Sequence, residues 1–120
     1  MKSVLLLLVF AVSAVAVGQT APQAILTWNA PTTYTNGTAI PSTVAITYNV
    51  YQGNTATSLA KVASAVTALT QSITTGLVNG ATYYWSVTAV ANGNESAQAA
   101  PISKTFAAGT PGQVINLTVK

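Results

Sequence analysis

The sequence predicts an all-β protein, and three stretches predict it. The strongest is Leu77 to Val90, where a turn signal, Asn79-Gly80, precedes Ala81-Thr82-Tyr83-Tyr84-Trp85-Ser86-Val87-Thr88-Ala89-Val90. Asn and Gly both tolerate positive φ. The run after them is aromatic and β-branched, which suits a pleated, half-buried strand. Val44 to Gly53 alternates in the same way, and Ala24 to Trp28 is a shorter run of the same kind. Because side chains alternate along a strand, Tyr83, Trp85, Val87 and Ala89 share one face and Tyr84, Ser86, Thr88 and Val90 the other. The first set is the better core face.

The pattern Leu77-x-x-Gly80-x-x-Tyr83-x-Trp85-x-Val87-x-Ala89 resembles the corner and penultimate strand of fibronectin type III domains. Two further anchors carry the resemblance: Leu26-Thr27-Trp28-Asn29-Ala30-Pro31 and Tyr48-Asn49-Val50-Tyr51. It runs from about Gln23 to Phe106 and is closest to the bacterial and phage branch of that family. It implies an immunoglobulin-like antiparallel β-sandwich of about seven strands. It also implies that Tyr83 bonds its hydroxyl to backbone upstream, with Leu77 the core residue before it. Leu26, Trp28, Tyr48, Val50, Leu77, Tyr83, Trp85 and Val87 are the expected core. Little chain precedes Ile25, so the family's first strand is expected to be missing or truncated.

Residues 1–18 have the layout of a secretory signal peptide. Lys2 supplies the positive lead, Val4 to Val17 is apolar except for Ser13, and Ala14, Ala16 and Gly18 are small. Cleavage is expected after Ala16 or Gly18. The alternative is a retained anchor, but the apolar run is short of the ~20 residues that span a bilayer as a helix. Residues 19–108 are then the domain and 109–120 a tail, and the protein is expected to be secreted, extracellular or periplasmic. A cell surface or a virion is a further setting. No Cys is present, so neither lipidation nor a disulfide supports it.

Composition removes most chemistry. Only 4% of residues are charged, Glu95 is the only acid, and there is no His, Cys, Asp or Arg. No Ser-His-Asp or Cys-His arrangement can form, and a glycosidase needs two carboxylates. Zinc and calcium lack their ligands. We therefore expect no enzyme, no cofactor and no metal. The pI of about 9.5 reflects Lys2, Lys61, Lys104 and Lys120 with little to oppose them. They are scattered, whereas phosphate neutralisation needs clusters, so no nucleic acid is expected.

The remaining elements follow in order. Pro31 to Ser42 is a loop with a tight turn at Asn36-Gly37. In Val44 to Gly53, Ile46, Tyr48 and Val50 face the core, while Thr47, Asn49 and Tyr51 face outward. In Asn54 to Gln71, Leu59, Val62, Val66 and Leu69 fall at helical spacing, but a sandwich leaves no room for a helix within a sheet, so two short strands are expected. Ser72 to Thr75 is the next strand, with Ile73 out of step with Leu77. Ala91 to Ser96 is a loop where some members of the resembled family carry Arg-Gly-Asp. Here Asn92-Gly93-Asn94 stands instead, so integrin-type adhesion is not implied. Glu95 is expected to be structural or solvated. Ala97 to Phe106 is the last strand of the domain, in which Pro101 demands an edge or a bulge.

Three functions are open to such a chain. The first is a secreted, non-catalytic interaction or structural module with an unidentified protein or glycan partner. The second is a self-assembling block. Ile115, Leu117 and Val119 alternate with polar neighbours, so the tail could add as a strand to a neighbouring copy. Tail and vacant first-strand position are expected at opposite poles, making the contact head-to-tail. The third is carbohydrate binding by outward Tyr51 and Tyr84, with Asn49 and Ser86 beside them. Cross-strand aromatic pairs also simply stabilise sheets.

Overall fold

A computed structural model describes residues 20–120, so the signal-peptide reading of residues 1–18 lies outside the described residues. Seven strands form: β1 (Ala24–Thr27), β2 (Ile46–Thr55), β3 (Ser58–Val66), β4 (Thr70–Ile73), β5 (Thr82–Ala91), β6 (Asn94–Glu95) and β7 (Ile102–Thr105). All pair antiparallel. β1 and β4 make one sheet. The other runs β3-β2-β5, and the far edge of β5 takes β6 at one end and β7 at the other.

Both sheets close on one core. Ala24 and Leu26 of β1 meet Val50 of β2, Tyr83 and Trp85 of β5, and Phe106 just past β7. Leu26, Tyr48, Val50, Tyr83 and Trp85 are buried. Trp28, Leu77 and Val87 are half-buried against the cluster. The register follows the side-chain alternation. Tyr48 lies opposite Ala89 and Val50 opposite Val87 on the inner face, and Asn49 opposite Thr88 on the outer. The Tyr83 hydroxyl accepts the Val78 backbone N–H at 3.0 Å, fixing the chain that leads into β5.

Three elements differ from the sequence expectation. Asn54 to Gln71 is not two short strands. One nine-residue strand, β3, folds back from β2 over a two-residue loop, and β4 has already begun at Thr70. The helical spacing of Leu59, Val62, Val66 and Leu69 has no effect: Val62 is exposed on β3, an edge strand, and Leu69 is exposed in the connection to β4. The strand expected over Ser72 to Thr75 runs instead over Thr70–Ile73. It stops short of Gly76, at φ +75, so Ile73 need not keep step with Leu77. The last strand, expected over Ala97 to Phe106, is confined to β7 and begins only after Pro101, because proline has no N–H to give the ladder. The stretch expected as a loop over Ala91 to Ser96 contains the short strand β6. The interval between β6 and β7 stays against β5 through Ser96 N–H to Ala89 O and Ala99 N–H to Val87 O.

The β2–β3 ladder carries a bulge. Tyr48 pairs with Val66 and Val50 with Ala63, so Ser64 and Ala65 together oppose Asn49. Ala65 adopts φ +55 there, a conformation costing an L-residue ~1–2 kcal/mol. Its side chain is exposed. Ala65→Gly is therefore expected to stabilise the domain by up to ~1 kcal/mol, after glycine's larger chain entropy is subtracted. Urea unfolding should show a higher midpoint at unchanged slope. A lower midpoint would mean that the bulge carries no strain.

Candidate functional site

The outer face of the larger sheet carries the buried polar side chains Asn49, Ser86 and Thr88. Its geometry begins at a two-residue turn. Asn92 and Gly93 both have positive φ, +52 and +79, which is the type I′ geometry that matches the twist of a hairpin. The turn returns β6 along β5, with Glu95 opposite Val90. Period-two alternation then sets Glu95 beside Thr88, and the β2–β5 register brings Asn49 opposite Thr88 and Tyr51 opposite Ser86.

Three donors converge on one Glu95 oxygen. Thr88 Oγ1 donates at 2.5 Å, Asn49 Nδ2 at 3.1 Å, and the Tyr51 hydroxyl also donates. Asn49 Oδ1 in turn accepts the Ala65 N–H at 3.4 Å, giving the bulged residue a partner that the ladder denies it. One carboxylate thus ties β2, β5 and β6 together, and Asn49 extends the tie to β3. The hydrogen bonds from Thr88, Tyr51 and Asn49 hold the Glu95 carboxyl down at about 2, with a smaller contribution from Lys61. The Glu95 bond raises the Tyr51 hydroxyl above its ordinary value. Lys61 Nζ stands 6.0 Å from the centre of the Tyr51 ring.

Such a carboxylate is a weak base at neutral pH, far from the range suited to general acid–base work. Its chemistry is that of a cross-tie. Of the residues read as a sugar-binding face, Asn49 and Tyr51 are drawn into it. Asn49 is buried and bonded through both ends of its amide. Ser86 is buried and donates to the Ala99 carbonyl at 2.7 Å. Tyr84 is half-buried and lies opposite Gly53 rather than Tyr51. A Cβ at Gly53 would lie 2.0 Å from the Ser58 carbonyl oxygen, so that position admits only glycine. Sequence reasoning missed Thr88 as a partner. The signal was present: Glu95 is the chain's only acid, and Thr88 shares the outer face of its strand with Tyr84 and Ser86. Among the described residues no group of three or more His, Cys, Asp or Glu gathers to hold a metal.

The second feature is an unpaired edge. β1 pairs only with β4, and its other edge has no strand partner among the described residues. Ile25 on it is 64% exposed. Past Phe106 the tail forms no strand. Ile115, Leu117 and Val119 are 76%, 86% and 93% exposed, and Asn116 has φ +58, which interrupts an extended backbone. The tail does not start from the far pole. Lys104 Nζ donates to the Gln23 carbonyl at 3.4 Å, and residues 107–110 line one recess with residues 20–23. Tail root and β1 start are neighbours, because β7 runs alongside β1 in the opposite direction. No protein-family model matches the chain, and no curated protein matches it.

Proposed function

We propose that this chain is an exported, non-catalytic module of fibronectin type III-like build with a structural role, a building block whose copies join through their C-terminal strands. The build is supported by the Tyr83–Val78 bond and by the pairing of β1 with β4 apart from β3-β2-β5. The apolar leader and its small-residue end support export. The composition supports a role without catalysis, cofactor or nucleic acid.

One observation carries the assembly reading. The chain combines a β1 edge without a partner and an alternating apolar segment whose side chains are 76–93% exposed. An open edge is a template for another strand, and proteins ordinarily cover or charge it. Among the described residues neither device protects β1. A strand added from a second copy covers both liabilities at once.

The test is the solution mass of the secreted form, with and without residues 111–120, over a wide concentration series. The expected result is concentration-dependent growth in mass for the longer form and a monomer for the shorter. Equal masses at every concentration would refute self-assembly.

A further inference from the structure

Resting on that reading, we propose that the receiving site is the open slot between β1 and the stretch from Ala99 to Ile102, that a second copy's tail lies there antiparallel to β1, and that the tail's main chain accepts the indole N–H of Trp28. The slot holds about 120 Å³ and is lined by Leu26, Trp28, Trp85, Val87, Ala99 and Ile102 among others. A cavity of ~150 Å³ holds a benzene ring, so this one is of the size of a branched aliphatic side chain. It continues into a second hollow of about 220 Å³, and the two share Trp28, Val87 and Ala99. The first hollow touches β1 at Leu26 and Thr27 and the second lies just past the end of the strand, at Trp28, Asn29 and Pro31, so together they suit successive inward side chains of an added strand. Ile102 on the rim is 58% exposed.

Trp28 supplies the polar half of the argument. Its ring packs on Tyr48, centroids 5.4 Å apart, and its Nε1 is buried with no hydrogen-bond partner among the described residues. A buried donor without a partner is uncommon in folded proteins. The Trp28 side chain lines both hollows, and a strand laid beside β1 brings main-chain carbonyls to it.

Direction and length select the occupant. The tail leaves next to the Ala24 end of β1, so a tail folding straight back on its own domain would run parallel to β1, and it would run antiparallel only after its linker had first looped past the whole strand. Both sheets are wholly antiparallel, and antiparallel pairing is the more stable per residue. A second copy's tail entering at the Thr27 end runs antiparallel. Five extended residues from Ile115 to Val119 rise ~13 Å, enough to run beside the four residues of β1. Residues 107–114 leave a linker of up to ~28 Å to reach the neighbour. On docking, Asn116 moves from positive φ to extended backbone. Tail and slot are different surfaces, so the contact is heterologous and propagates as a chain or ring.

The experiment uses the chain lacking residues 111–120, which the exposure of the tail shows to be dispensable for the core, and a peptide of residues 111–120. The two tryptophans give two indole N–H resonances. Adding peptide is expected to shift that of Trp28 downfield, saturably, while that of Trp85, already bonded to Gln52, stays in place. A Leu117→Asp peptide should bind at least tenfold more weakly. If the full chain assembles and tail deletion abolishes assembly, yet the Trp28 resonance does not move, the slot is overturned while self-assembly stands. If the full chain stays monomeric and the peptide does not bind, both fall. If the full chain stays monomeric while the truncated chain binds the peptide with the Trp28 shift, the slot is filled by the chain's own tail and the second copy is overturned as its occupant.

Discussion

Trp85→Ala is expected to remove ~3–5 kcal/mol of stability, the range for truncating a buried aromatic side chain. Trp85 is 2% exposed at the centre of the core, its ring centroid 6.1 Å from that of Tyr83. Its Nε1 donates to Gln52 Oε1 at 2.8 Å. The truncation leaves a cavity between the sheets and a glutamine oxygen without its donor. Neither a disulfide nor a metal is available to offset the loss, since the chain has no Cys and no His. Small domains hold only ~5–15 kcal/mol in total, so the variant should lose about a fifth of its stability or more. Trp85→Phe keeps a ring in the core but leaves Gln52 unpaired, and should cost less. Urea unfolding followed by circular dichroism measures both. A loss below ~1 kcal/mol for the alanine variant, the size of a typical single substitution, would show that the core does not depend on this ring.

The second large effect concerns acid. The Glu95 carboxyl is held at about 2 in the folded protein against an ordinary 4.5. A depressed acid contributes stability that is complete above its unfolded value and is lost as pH falls through the folded one. Melting temperature should therefore be level above about 4.5 and decline between there and about 2. Most proteins superpose many carboxylates on such a curve, but this chain has one acidic side chain, so the decline belongs almost wholly to a single proton. Glu95→Gln should melt lower than the wild type at neutral pH and be nearly flat across the acid range. A Glu95→Gln curve that declines as steeply as the wild type would mean that the cross-tie over β2, β5 and β6 is not what acid breaks.

The alternation in Leu77 to Val90 and Val44 to Gly53 was enough to identify the two longest strands and their inward faces, because period-two burial is written directly into the order of side chains. The Asn36-Gly37 and Asn79-Gly80 turns were legible for the same local reason, and both glycines have positive φ, at +88 and +93. The Asn92-Gly93 turn lies within a stretch that reads only as a loop. The short strands were less legible. β4 and β7 are four residues each, too few for a pattern to stand above chance, and their limits depend on what they pair with.

The sequence by itself determined the all-β class, the core positions from Leu26 to Val87, and the near absence of ionisable chemistry. Each is a property of single residues or of neighbours a few positions apart. Only the tertiary structure decided that Asn49 and Thr88 meet Glu95, because they are 46 and 7 residues away from it and the register between strands brings them together. Only it decided that the tail begins beside β1 with its apolar side chains exposed, and that the Trp28 indole is buried without a partner. Those facts follow from which strand edges remain open once the sheets close, and edge pairing is a long-range property that local pattern does not encode.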